Sequence, residues 1–167
     1  MPLSMSAWTL AMVMTVSSDT VDGEPMHLFL GGRTQVVASA AIAGALRRLE
    51  SPSCQRVLTD FADESGRSLA DSLAATGLTL PVYVSRLYAV EGDRERGCAN
   101  AGTRAFTARG SHVIYLCSAH FDSLSERIVS AQMTIIHEIL HTLGLGENPP
   151  SSDQITQQVI ARCRAFP

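Results

Sequence analysis

The sequence predicts an α+β fold: one domain of helices packed on a small sheet, with a buried helix and a closing C-terminal helix. Three observations predict it. Apolar residues follow a helical period from Gln35 to about Gly77. Between Leu80 and Leu116 they change to clusters of Val, Leu and Tyr that favour strands. From Leu124 onward the helical period returns. A chain of 167 residues, 46% hydrophobic and 17% charged, has the size and composition of a single folded domain with its own core.

The first segment is the apolar run from Ala7 to Val16. It is too short to span a bilayer, which takes roughly 20 residues, so stable membrane insertion is not expected. Ser17 and Ser18 follow, and then a polar stretch from Asp19. This reads as a signal-peptide apolar region and cleavage site, with residues 1–18 as leader and 19–167 as the domain. No Lys or Arg precedes the run, which leaves an ordinary apolar strand or helix as the other reading.

Met26–Leu30 is a short apolar stretch closed by Gly31 and Gly32. Gln35 to Glu50, rich in Ala, Leu and Arg, reads as a helix despite Gly44. Ser51, Pro52 and Ser53 stop it and start the next, because Ser caps a helix and Pro fits its first turn. Val57, Leu58 and Phe61, then Leu69 and Leu73, keep the helical spacing. Leu80 to Val90 is expected as strand. Cys98 to Cys117 reads as a hairpin, with strands at Arg104–Thr107 and His112–Leu116 around Arg109, Gly110 and Ser111. Leu124 to Leu143 is the long helix, so apolar around its circumference that it must be largely buried. Gly144 and Gly146 end it. Ser151, with Gln154 three residues on, forms a capping box for a last helix reaching about Arg162, and Pro150 can staple against Ile155.

The net charge of −3 gives no reason to expect a nucleic-acid or anionic-membrane partner. The four cysteines, Cys54, Cys98, Cys117 and Cys163, include no C-x-x-C pair, which argues against a Cys-based metal site. An even number in a small chain with a leader suggests two disulfides and a secreted or periplasmic location. Three connectivities are possible. The preferred one closes the hairpin with Cys98–Cys117 and ties the last helix to an earlier one with Cys54–Cys163. Buried free thiols in a cytosolic protein are the alternative.

His137-Glu138-Ile139-Leu140-His141 on the long helix is the pattern that carries chemistry. Residues four apart lie one turn apart on one face, so both imidazoles can reach a single Zn2+ ion. A hydrolytic zinc takes three protein ligands and leaves one position for water, whose pKa it lowers toward about 7. Glu138 is turned about 100° from His137 and can take a proton from that water as general base. A satisfied pair of core histidines with a surface Glu is the bland alternative; it would leave two His and a Glu on an apolar helix in need of partners.

No His follows His141, and the only downstream acids are Glu147 and Asp153. Asp153 has a ready role in the first turn of the last helix, where negative charge suits the dipole. Glu147 follows Gly144, which can turn the chain back toward the metal. Glu147 is therefore the preferred third ligand. Asp153 comes second, and His112, His120 or Asp122 remain as upstream alternatives.

At these residues the chain resembles the zincin metallopeptidases. His137-Glu138-x-x-His141-x-x-Gly144-x-x-Glu147 is similar to the metzincin pattern, in which the position of Glu147 normally holds His or sometimes Asp. Metzincins also place a Met-containing turn beneath the metal, and no Met follows Met133. Cys98, Ala105-Phe106-Thr107, Cys117 and Phe121, followed by the His-bearing helix, resemble the aspzincins, which are secreted and disulfide-bonded. Aspzincins take their third ligand from a Gly-Thr-x-x-Asp motif and use a Tyr near the metal; neither follows His141. The resemblance spans roughly residues 98–147. It implies a zincin-like fold and a zinc-dependent hydrolase acting on a peptide or protein substrate, without choosing a branch.

By the same resemblance, a strand near the site helix pairs with extended substrate, and His112–Leu116 is the candidate; the alternative is a central strand with no free edge. Tyr115, His112 and His120 are the candidates for stabilising a developing oxyanion. Two other functions fit the same residues: an exported module with a purely structural zinc, and a zinc hydrolase of a non-peptide amide or ester.

Overall fold

The computed structural model describes residues 25–165. The expected leader at 1–18 lies outside the described residues. The architecture is α+β. Strand β1 (His27–Phe29) leads into helix α1 (Gly32–Leu49), then short helices α2 (Pro52–Gln55), α3 (Val57–Asp60), α4 (Leu69–Ala75) and α5 (Leu80–Val84). Strands β2 (Tyr88–Glu91), β3 (Ala105–Thr107) and β4 (Val113–Leu116) follow, then α6 (Ser118–Phe121), α7 (Ile128–Thr142) and α8 (Ser152–Cys163). The sheet order is β1-β2-β4-β3. β2 runs parallel to β1 and to β4, and β3 pairs antiparallel with β4.

Helix α7 is the centre of the molecule. Ile135, Ile136, Ile139 and Leu140 are each 0–1% exposed and pack into one core with Ala38, Ala41 and Ile42 of α1 and Ile114 and Leu116 of β4. Gly44 explains itself at this contact: a Cβ there would overlap the Gln132 side chain of α7. The glycine lets α1 and α7 approach, and Arg48 uses that approach. Its buried guanidinium donates to Gln132 Oε1 at 2.6 Å and to the main-chain oxygens of Cys163 and Arg164 at 2.8 and 3.0 Å. One side chain thus joins α1, α7 and the end of α8.

Both preferred disulfides are present. Cys54–Cys163 ties α2 to α8, and Cys98–Cys117 ties the loop before β3 to the end of β4. Among the described residues no helix is long and apolar enough to cross a membrane.

Three expectations are corrected. The first half of the expected strand Leu80–Val90 is helix α5, with Pro81 in its first turn. Tyr83, Val84 and Leu87 are buried, a helical spacing, so packing overrides the β-propensity of Val and Tyr. The long helix starts at Ile128, not Leu124. Asp122–Arg127 forms a 3-10 segment, whose period of three buries both Phe121 and Leu124. Finally, β4 is paired on both sides, with β2 and β3, so the expected substrate strand His112–Leu116 offers no free edge. Among the described residues the outer strands are β1 and β3, and β3 is the one that packs beside α7.

Candidate metal centre

Helix α7 carries His137, Glu138 and His141 in its last two turns, where they are 6%, 4% and 5% exposed. The helix end is fixed by three contacts. Tyr83 of α5 donates its hydroxyl to the Thr142 oxygen at 2.9 Å. Gly110, in the hairpin turn, and Gly144 both donate their N–H to the His141 oxygen, at 2.8 and 3.0 Å. Gly144 has φ +106°, the left-handed conformation expected of it, and reverses the chain so that Glu147 comes back over the helix.

Three donor atoms then converge. His137 Nε2 and His141 Nε2 are 3.0 Å apart, and Glu147 Oε1 lies 3.7 Å from the first and 3.3 Å from the second. A tetrahedral ion with bonds of about 2.0–2.2 Å has ligand atoms about 3.3–3.6 Å apart. The three sides of the triangle, 3.0, 3.3 and 3.7 Å, bracket that spacing. Its protonation pattern matches too. His141 Nδ1 is 2.8 Å from the Leu145 carbonyl oxygen, which can only accept, so Nδ1 carries the proton and Nε2 presents its lone pair. His137 Nδ1 is 3.0 Å from Thr156 Oγ1, which can accept in the same way. Two imidazole lone pairs facing each other repel unless a cation lies between them. The donor set of two imidazoles and a carboxylate is one that takes a transition-metal ion.

Glu138 sits beside this group without belonging to it. Its Oε2 is fully enclosed and has no hydrogen-bond partner, and neither has Thr107 Oγ1 on β3. Burial pushes the Glu138 carboxyl up to about 8; the nearby Thr107 hydroxyl opposes the shift and the Glu147 carboxylate adds to it. Burial, then the neighbouring His141, hold the His137 imidazole below its ordinary value. A divalent cation at the triangle would reverse the pressure on Glu138, since positive charge favours the carboxylate.

Two cavities meet at Glu138. One, of about 440 Å3, runs under the loop at Gly97 and past Phe106 and Arg109 to Glu147. The other, of about 860 Å3, opens between β3 and the start of α7. His137, Glu138 and Ala105 line both. The edge strand β3 therefore forms the wall of a continuous cleft.

The structure brings together His137, His141 and Glu147, and that group holds none of the other expected candidates. Asp153 is exposed in the first turn of α8 and lines the larger cavity. His112 lies against Tyr83, with ring centroids 5.9 Å apart, and His120 and Asp122 lie at α6 and the turn after it. Tyr115 stacks on Phe106 at 4.8 Å, and none of Tyr115, His112 and His120 lines either cavity.

Thr156, Thr107 and the Leu145 carbonyl were not legible in the sequence. Only the capping box gave a hint: Ser151 and Gln154 fix the start of α8, and Thr156 then faces His137.

No protein-family model, no curated protein and no solved structure matches this chain.

Proposed function

We propose that the chain is an exported, zinc-dependent metallopeptidase of the zincin type. The observation that carries the reading is the triangle of His137 Nε2, His141 Nε2 and Glu147 Oε1 beside the buried carboxyl of Glu138. Bound there, zinc would polarise a scissile carbonyl and acidify a water molecule. His137 and His141 would hold the ion through Nε2, their rings oriented by Thr156 and the Leu145 carbonyl. Glu138 takes the proton of the attacking water on its carboxylate as the water oxygen bonds to the carbonyl carbon. It returns a proton to the leaving amine as the C–N bond breaks.

The edge of β3 can pair with an extended peptide through backbone hydrogen bonds, in the place first expected of His112–Leu116. Among the described residues three donors converge and not four, which supports a catalytic over a structural ion, because structural zinc sites are closed by a fourth protein ligand. Two disulfides support an oxidising compartment.

The test is metal analysis of the purified protein together with chelator-sensitive cleavage of an unfolded protein substrate. Glu138→Gln is expected to retain the metal and to lose roughly 10²–10⁴-fold in cleavage rate. A variant that keeps its metal and cleaves at the wild-type rate removes Glu138 from the mechanism.

A further inference from the structure

The two sides of the cleft carry different charge. On the smaller side the cation is Arg109, and it is already in an ion pair with Glu64. The larger cavity is bordered by three arginines, Arg104, Arg127 and Arg164. None of the three forms an ion pair among the described residues. Each is fixed by its backbone at the end of an element. Arg104 immediately precedes β3, and its carbonyl accepts from Cys117 N–H at 2.9 Å. Arg127 is the cap residue of α7. Arg164 is the cap residue of α8, with its carbonyl held by Arg48. Three acids line the cavity too: the buried Glu138, where the two cavities meet, and Glu126 and Asp153, which are exposed, so on the exposed rim the arginines outnumber the acids three to two.

A chain whose net charge is −3 thus places unpaired positive charge along one half of its cleft. The first turn of α7, which contains no acid, adds partial positive charge at the same place. Long cations held on fixed backbone around a cavity that opens onto the site select the charge of what enters.

We propose that this cavity is a specificity subsite for acidic side chains of a polypeptide substrate. It acts on one side of the scissile bond only. The inference rests on the peptidase reading and adds the substrate class. Arg104 begins the edge strand, so a peptide paired along β3 passes it a few residues from Glu138, at roughly 3.3 Å per residue. The carboxylates of Asp or Glu at those positions meet the arginines, while on the Arg109 side the ion pair with Glu64 leaves no such preference.

The experiment uses the metal-loaded full chain and matched internally quenched peptides. The peptides carry Glu, Gln or Lys at positions two to four residues before or after the cleaved bond. Glu138→Gln serves as the blank for contaminating activity. The expected result is a kcat/KM about tenfold higher for Glu than for Gln, on one side of the bond only, and lower again for Lys. The ratio should shrink with added salt and fall toward one in R104Q/R127Q/R164Q; single variants should each lower it part of the way. The ratio is read within each variant, so a general loss of rate does not imitate the effect. Equal cleavage of Glu and Gln peptides, or a preference that survives the triple variant, overturns the subsite and leaves the peptidase reading standing. Failure to cleave any peptide with metal bound overturns both.

Discussion

The site has two kinds of ligand, and they are held in different ways. His137 and His141 stand one turn apart on a buried helix, with side chains 8% and 6% exposed. Their spacing follows from the helix itself. Each ring is oriented from behind, one by a hydroxyl and one by a carbonyl. Glu147 comes from a loop, with its side chain 41% exposed, and its side-chain contacts among the described residues are the two imidazoles. It reaches the site only because Gly144 reverses the chain. The difference teaches where affinity for a metal would reside: in a preorganised pair on the helix, completed by a third ligand that would have to be ordered on binding.

The largest expected effect separates the two. His141→Ala removes half of the preorganised pair and should lower metal affinity by well over about 100-fold, beyond what loss of an outer partner costs. Glu147→Ala should also weaken binding, but by less, and Glu147→Asp should recover part of the loss. Chelator competition followed with a metal-sensitive dye measures both. If Glu147→Ala equals His141→Ala, the loop ligand is as preorganised as the helix pair and the contrast fails. If it binds like the wild type, Glu147 is not a ligand.

The same contrast governs what could be read from the sequence. The helix half was legible because i, i+4 spacing is a local rule, and an apolar surround marks the helix as buried. Glu147 was legible by elimination and by Gly144, since left-handed backbone has a residue signature. Both disulfides agree with the connectivity preferred from placing two cysteines on a hairpin and two on the last helix and an earlier one. The failures were all non-local. Nothing near Val82 or Tyr83 says that the core needs residues 83, 84 and 87 on one face. Nothing within His112–Leu116 says that its far edge will be taken by β2, 25 residues upstream in register. Thr156 and Arg104 reach the site only through packing of α8 and the edge position of β3. The histidine-bearing helix was therefore readable, and the wall and orientation of the cleft were not.

A second prediction concerns the helix side alone, in the protein stripped of metal. The Glu138 carboxyl is raised by burial to about 8, above its unfolded value of 4.5. Between these values the folded state holds the extra proton, so this contribution to stability is lost as pH rises toward 8. His137 has the opposite sign. Its imidazole is depressed below 6.5, chiefly by burial, so its contribution is gained as pH rises toward 6.5. The two offset each other in mildly acidic solution. Above pH 6.5 only Glu138 remains, and stability should fall toward pH 8 by at most about 1.4 kcal/mol per pH unit. Denaturant unfolding of the chelated protein measures it. Glu138→Gln should flatten the decline, and bound metal should remove it. A flat profile in the chelated wild type means that Glu138 is less enclosed than its burial indicates. On the loop side, Glu147→Gln removes only a secondary contribution and should soften the decline without abolishing it.

The smallest expected effect tests the orienting contacts behind the two rings. His141 is held by the Leu145 carbonyl, a main-chain group that no substitution deletes. His137 depends on a side chain, the Thr156 hydroxyl. Thr156→Val keeps nearly the same shape and removes the acceptor. The Nδ1–H of His137 then loses its protein partner, and the ring is free to turn its Nε2 away from the triangle. Loss of such an outer contact typically costs 10–100-fold in metal affinity. The lower end, about tenfold, is expected because His141 and Glu147 still define the position of the ion. Thr156→Ser restores the hydroxyl and should restore affinity, which a merely steric role for the threonine would not predict. Equal affinity in Thr156→Val and wild type would mean that His137 needs no orienting hydrogen bond, and that the helix alone preorganises its half of the site.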